Sequence, residues 1–100
     1  MIREVVVVPD QLQLILTGNI TKEEVTLLRE RISLYIDRGH QELSIDLEGV
    51  TNIKTAMLEA LVAIHNGLEN KGGHMKIVGL KGEVKKIFEL VHLDKVLDIR

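Results

Sequence analysis

Apolar and polar residues alternate in several short stretches of the chain, and the stretches between them carry apolar residues at helical spacing. Residues 2–8 are rich in valine and predict a strand. The alternation over residues 11–16 predicts a second strand, which Gly18 ends. Pro9 and Asp10 suit a tight turn. We therefore expect the chain to open with a β-hairpin.

A helix start follows the hairpin. Thr21 and Glu24 have the spacing of a capping box, in which each side chain accepts from the other residue's backbone N–H. Apolar residues then recur at helical spacing as far as Tyr35, and Arg38-Gly39 suits a helix end. The same criteria predict a strand over 43–47, a short connection over 48–53 and a helix over about 55–70. A strand over 75–78 follows, and then a helix with one apolar face formed by Val84, Ile87, Phe88 and Val91. The tail over 93–99 suits a helical turn and a last strand.

This order of elements predicts a single α/β domain over residues 1–100. Strands that alternate with helices favour parallel pairing through right-handed crossovers, and the hairpin adds an antiparallel pair. We expect a mixed sheet of four to five strands with three or four helices mainly on one face. Ser44 and Asp46 alternate with apolar residues, so the other face should be partly exposed.

The composition narrows the function classes. The chain has 100 residues, 45% of them hydrophobic, a formal net charge of −2 and no cysteine. The balanced charge argues against a broad basic surface for binding nucleic acid. The lack of cysteine excludes disulfides and metal sites with cysteine ligands. No apolar run approaches the roughly 20 residues that span a bilayer. We expect a soluble, cytoplasmic protein.

The sequence shows no recognisable catalytic or metal-binding motif. It lacks a nucleophile elbow, a P-loop and histidines at the spacing of metal ligands. We therefore expect no catalytic residue, no metal and no cofactor. The protein is expected not to be an enzyme. His40 and His74 are predicted to face water, and His65 to be a hydrogen-bonded core or boundary residue. Asp46, late in a strand, resembles a site residue of α/β folds, but we favour a solvated position on the polar face.

The second predicted helix is apolar around more than half of its circumference. An edge formed by Met57, Ala60 and Ile64 could be exposed as a partner surface, or the hairpin or third helix could cover it. Thr55 could be a phosphate acceptor near the positive end of the helix, although its more common role would be the N-cap.

The chain resembles the STAS domain, the fold of bacterial anti-sigma factor antagonists. The resemblance is carried by the runs 43–53, 65–68, 71–73, 75–78, 84–88 and 93–97, with a weaker likeness over 14–20. In the family the second helix opens with Asp-Ser-Ser/Ala-Gly-Leu, and a partner kinase phosphorylates the second Ser. Here the same stretch is Lys54-Thr55-Ala56-Met57-Leu58. The usual acceptor position therefore has no hydroxyl, Lys54 reverses the charge of the Asp, and Thr55 is the candidate phosphorylation residue.

The resemblance implies a protein-binding regulatory module of the partner-switching type, active in transcription regulation, with an anti-sigma factor kinase as partner. Its expected binding surface consists of Asn52, Ile53, Lys54, Thr55, Ala56, Met57 and Glu59. Family members often carry another helix after the last strand. Without one, either apolar surface near Val96 and Ile99 is uncovered and favours a homodimer, or the chain has a minimal form of the fold. The alternative functions are an accessory subunit of a lipid-transport ATPase complex and a small-ligand sensor domain.

Overall fold

The computed structural model describes residues 1–8 and 11–100, with only the backbone described for residues 4–8. The turn predicted at Pro9-Asp10 lies outside this part of the chain. The described elements are β1 (Ile2–Val8), β2 (Gln11–Asn19), α1 (Lys22–Asp37), β3 (Glu42–Asn52), α2 (Thr55–Asn70), β4 (His74–Val78), α3 (Gly82–Leu90), a 3₁₀ turn (Leu93–Lys95) and β5 (Asp98–Ile99).

The strands form one mixed sheet in the order β1-β2-β3-β4-β5. β1 and β2 are antiparallel, and the other three pairs are parallel. The predicted α/β class and mixed sheet are confirmed. The tail also follows the prediction, because a 3₁₀ turn leads into a short fifth strand.

The core lies between one face of the sheet and the helices. Alternate strand residues such as Leu14, Ile45 and Ile77 are fully buried and join residues of all three helices, including Phe88, in one cluster. Burying a side chain of this size contributes roughly 1.5–3 kcal/mol. The intervening strand positions are half-buried or exposed. The helices therefore pack on one face, as predicted.

The capping box of α1 is confirmed, and it explains where this helix begins. The hydroxyl of Thr21 accepts a 3.2 Å hydrogen bond from the backbone N–H of Glu24, and the Glu24 carboxylate accepts one of 3.3 Å from the backbone N–H of Thr21. The bond from the Thr21 backbone, with help from the nearby N-terminal ammonium, lowers the pKa of Glu24.

The third strand is longer than predicted, and the expected connection over 48–53 is wrong. After a register shift, β2 and β3 continue to pair, with Gly18 opposite Val50 and Asn19 opposite Asn52. The close approach needs a glycine, since a Cβ on Gly49 would lie 2.8 Å from Thr17 Cγ2. The connection to α2 is therefore only two residues long, which brings the start of α2 close to the strand ends.

The two-residue strand β5 is held by side chains as well as by pairing with β4. The Asp98 carboxylate accepts two hydrogen bonds of 2.8 Å from Arg100, and it lies 2.6 Å from His74 Nε2. The Arg100 guanidinium and then His74 hold the pKa of Asp98 well below its ordinary value.

The histidines differ from the sequence expectations. His74 is only half-buried, and its Nε2 lies within hydrogen-bond distance, 2.6 Å, of Asp98 Oδ2. His40 is also half-buried, packed edge-on against Tyr35. His65 lies at the predicted core boundary, but its Nδ1 is buried without a hydrogen-bond partner among the described residues. In the described part of the chain, no helix is long and apolar enough to cross a membrane.

Candidate functional site

Three helices begin at the same edge of the sheet. Parallel strands have their carboxyl ends on one side, so α1, α2 and α3, which follow β2, β3 and β4, all start there. Their N-caps are Thr21, Lys54 and Lys81. The predicted partner-binding residues surround the middle one of these three helix starts.

The positive charge at the N-terminus of α2 is not neutralised by a capping side chain or an acidic residue. Lys54 has extended backbone, with φ −108° and ψ 161°, but its side chain makes no capping hydrogen bond. The first turn carries no acidic residue, whereas α1 has Glu23 and Glu24 there. Because a helix N-terminus is positive, a lysine at this point adds like charge. The expectation that Thr55 is the N-cap is wrong, since Thr55 is the first residue of the helix.

The predicted surface divides into exposed and buried members. Asn52, Lys54, Thr55 and Glu59 are exposed, and Ala56 is half-buried. Ile53 and Met57 are core residues, 6% and 0% exposed. These two can support the surface from below, but neither can contact a partner in this conformation.

Of the two alternatives for Met57, Ala60 and Ile64, the exposed edge is wrong, because all three residues are buried. The helix α2 packs against α1 and β4, and the three residues belong to the core cluster that also contains Val84 and Phe88 of α3. The apolar side of α2 that remains open lies further around the helix than the side of Met57, Ala60 and Ile64. It lines a shallow groove of about 490 Å³, together with residues after α3, and the lining is Thr55, Leu58, Glu59, Val62, Ala63, Asn66, Val91 and Leu93.

Two further groups belong to the edge beside α2 and were not predicted as site residues. Asn19, at the end of β2, is exposed and is the Cα partner of Asn52. Lys81 lies 3.9 Å from Glu48 in an exposed ion pair. Only the strand register shows that Asn19 adjoins Asn52, and the sequence carries no signal for the extended β2–β3 pairing.

Asp46 has a local structural role. It is half-buried on the polar face, and its Oδ1 accepts a 2.9 Å hydrogen bond from the backbone N–H of Glu48. Gly79 packs against it so closely that a Cβ there would lie 2.8 Å from the same oxygen. This position agrees with the preferred interpretation of a polar-face residue. Among the described residues, no cluster of His, Asp and Glu could hold a metal ion.

The family model of the STAS domain matches residues 3–100. The chain therefore belongs to the STAS domain family, and the predicted resemblance is confirmed. No curated protein matches the sequence.

Solved structures of similar fold agree with this assignment. TM1081 of Thermotoga maritima superposes with a TM-score of 0.88 at 20% identity, over 98% of this chain and 84% of that one. SpoIIAA of Bacillus, in its phosphorylated form, gives 0.83 at 16% identity, over 100% and 91%. An anti-sigma factor antagonist of Mycobacterium paratuberculosis gives 0.82 at 20% identity, over 99% and 85%. At these identities the likeness establishes the fold alone.

Proposed function

We propose that this domain is a protein-binding regulatory module of the partner-switching type, and that it binds its partner through the start of α2. The observation that carries the proposal is the exposed, uncapped first turn of α2 in a STAS-family fold. Lys54 and Thr55 face solvent there, beside the exposed Asn52. The backbone N–H groups and the lysine make this turn a cationic contact surface, which suits an acidic group on a partner. The expected partner is an anti-sigma factor kinase or a related signalling protein.

The core residues below this surface change how the proposal has to be tested. A Met57→Glu substitution would place a charge in the core and unfold the domain, so loss of binding would carry no information. Charge reversal at exposed positions avoids this difficulty. Lys54→Glu alters the proposed surface, and Arg38→Glu, at the opposite end of α1, is a matched reversal away from it.

The binding test is an affinity capture from native lysate with quantitative mass spectrometry. We expect the partner captured by the unaltered domain to fall roughly tenfold with Lys54→Glu, the equivalent of about 1.4 kcal/mol, and to stay unchanged with Arg38→Glu. Equal capture by all three proteins would refute this surface. Capture of a membrane ATPase instead of a signalling protein would support the accessory-subunit alternative.

We further propose that the usual phosphorylation switch is absent at its usual position. Ala56 cannot accept a phosphate, and its side chain is half-buried, whereas Thr55 is exposed one residue earlier. A phosphate on Thr55 would lie at the positive end of α2 beside Lys54, where it is electrostatically favoured.

Intact-mass measurement after incubation with the partner kinase and ATP tests this second proposal. A gain of one phosphate by the unaltered domain but not by Thr55→Ala would assign the switch to Thr55. No gain by either protein would support a module without the switch. The same gain by both proteins would contradict the proposal, because a third residue would then be the acceptor.

A further inference from the structure

The face of the sheet opposite the helices carries a row of polar side chains. Gln13 of β2, Ser44 of β3 and Lys76 of β4 are Cα partners on neighbouring strands. The residues before them, Leu12, Leu43 and Met75, are buried on the helix side. Because side chains alternate along a strand, the three polar side chains share the open face, on strands about 4.8 Å apart.

This row forms part of a cavity of about 230 Å³, which Gln11 and Glu42 also line. Among the described residues that line it, one side chain is cationic and one is anionic. Among the described residues, neither Lys76 nor Glu42 takes part in an ion pair, with the other or with a third group. Lys76 as a whole residue is half-buried and Glu42 is exposed, so both charged groups are available to a ligand of complementary charge.

Two further carboxylates near Lys76 make contacts of their own and no ion pair with it. Its Cα partner on β5 is Asp98, whose carboxylate is held by Arg100 and His74. Asp46, on β3, accepts from the backbone N–H of Glu48. Lys76 is therefore left facing the cavity together with the hydroxyl of Ser44 and the amide of Gln13, none of which has a partner within the described chain.

We propose that this cavity binds a small zwitterion of the free α-amino acid class. The carboxylate of the ligand would be held by Lys76 and Ser44, and its ammonium group by Glu42. The amides of Gln11 and Gln13 can donate to the first group or accept from the second. The cavity is smaller than the roughly 300–1,000 Å³ that drug-sized ligands occupy, which favours a compact molecule. It lies on the face away from the helices, so it is independent of the protein-binding surface at α2.

Titration of the ¹⁵N-labelled domain, followed by NMR, tests the site. The probes are glycine, L-serine and L-glutamine, compared at fixed ionic strength with acetate and methylammonium, which carry one charge each. We expect saturable shifts of the backbone amides of residues 11–13, 42–44 and 74–76 with at least one amino acid. Either single-charge probe should bind about tenfold more weakly, because it can satisfy only one of the two charged side chains.

Three neutral variants complete the test. Lys76→Gln and Glu42→Gln should each weaken binding of the amino acid about tenfold, while Lys85→Gln, exposed on α3, should leave it unchanged. Melting temperatures of the variants show that each remains folded. Absence of saturable shifts with all three amino acids would overturn the proposal. So would acetate binding as tightly as glycine, or undiminished binding in either cavity variant.

Discussion

Replacing Lys54 by serine should stabilise the domain at the same turn that we propose to be the binding surface. The backbone at this position is already extended, as an N-cap requires, and only the capping side chain is missing. A serine hydroxyl there can accept from the backbone N–H of residue 56 or 57. The substitution also removes a positive charge from the positive end of α2.

The expected gain is the sum of these two effects. An N-cap serine is worth about 1 kcal/mol, and relief of an unfavourable charge at a helix end about 0.3–1 kcal/mol. We therefore expect the free energy of unfolding to rise by about 1–2 kcal/mol. In a domain of this size each kcal/mol raises Tm by roughly 4–8 °C.

Thermal and urea unfolding, followed by circular dichroism, measure the change. Lys54→Ala separates the two effects, because it removes the charge without supplying a cap, and it should recover only the smaller gain. Thr21→Ala is the reverse control, since it destroys the existing capping box and should cost about 1 kcal/mol. If Lys54→Ser is no more stable than Lys54→Ala, the account of an uncapped α2 is wrong.

Two further predictions concern the core and the last strand. Met57→Ala should lower the free energy of unfolding, measured by urea titration, by about 2–5 kcal/mol. The control Leu34→Ala, at a residue that is 55% exposed, should change it by less than about 0.5 kcal/mol. Similar losses in the two variants would contradict the burial of Met57. Because folding lowers the pKa of Asp98, the carboxylate stabilises the domain above the ordinary value of 3.8, and this stabilisation is lost as the pH falls below that value. Asp98→Asn should therefore flatten the acid side of a plot of Tm against pH; an unchanged slope would show that the contacts to Arg100 and His74 do not matter for folding.

The element order could be read from the sequence because each element has a strong local signal. The capping box at Thr21 and Glu24 fixed the start of α1, and the alternation of Leu12, Leu14 and Leu16 identified β2. These signals depend on neighbouring residues alone. The extension of β3 to Asn52 depends instead on pairing with β2 after a register shift, and Gly49 and Asn52 favour a turn by composition.

The candidate site was predicted less well than the fold for the same reason. A helical wheel shows that α2 is apolar around most of its surface, but not which side faces α1 and the sheet. Met57 was therefore expected to be exposed and is buried, while Leu58 and Val62 line the open groove. The polar cavity at Lys76 needs the register of three strands, which no local pattern contains.

The order of the strands in the sheet follows their order in the chain, and this has a consequence for how the domain opens. Every strand pairs only with its neighbours in sequence, so either outer strand can detach without breaking the pairing of the others. Local opening of this kind exposes amides at the edges long before global unfolding exposes the centre. Hydrogen exchange should therefore be fastest in the two-residue β5 and slowest where β3 lies between β2 and β4. Beyond Asp46, β3 pairs with β2 alone, and this one-sided end leads into the turn that begins α2. A partner would therefore meet a surface that opens more readily than the centre of the sheet.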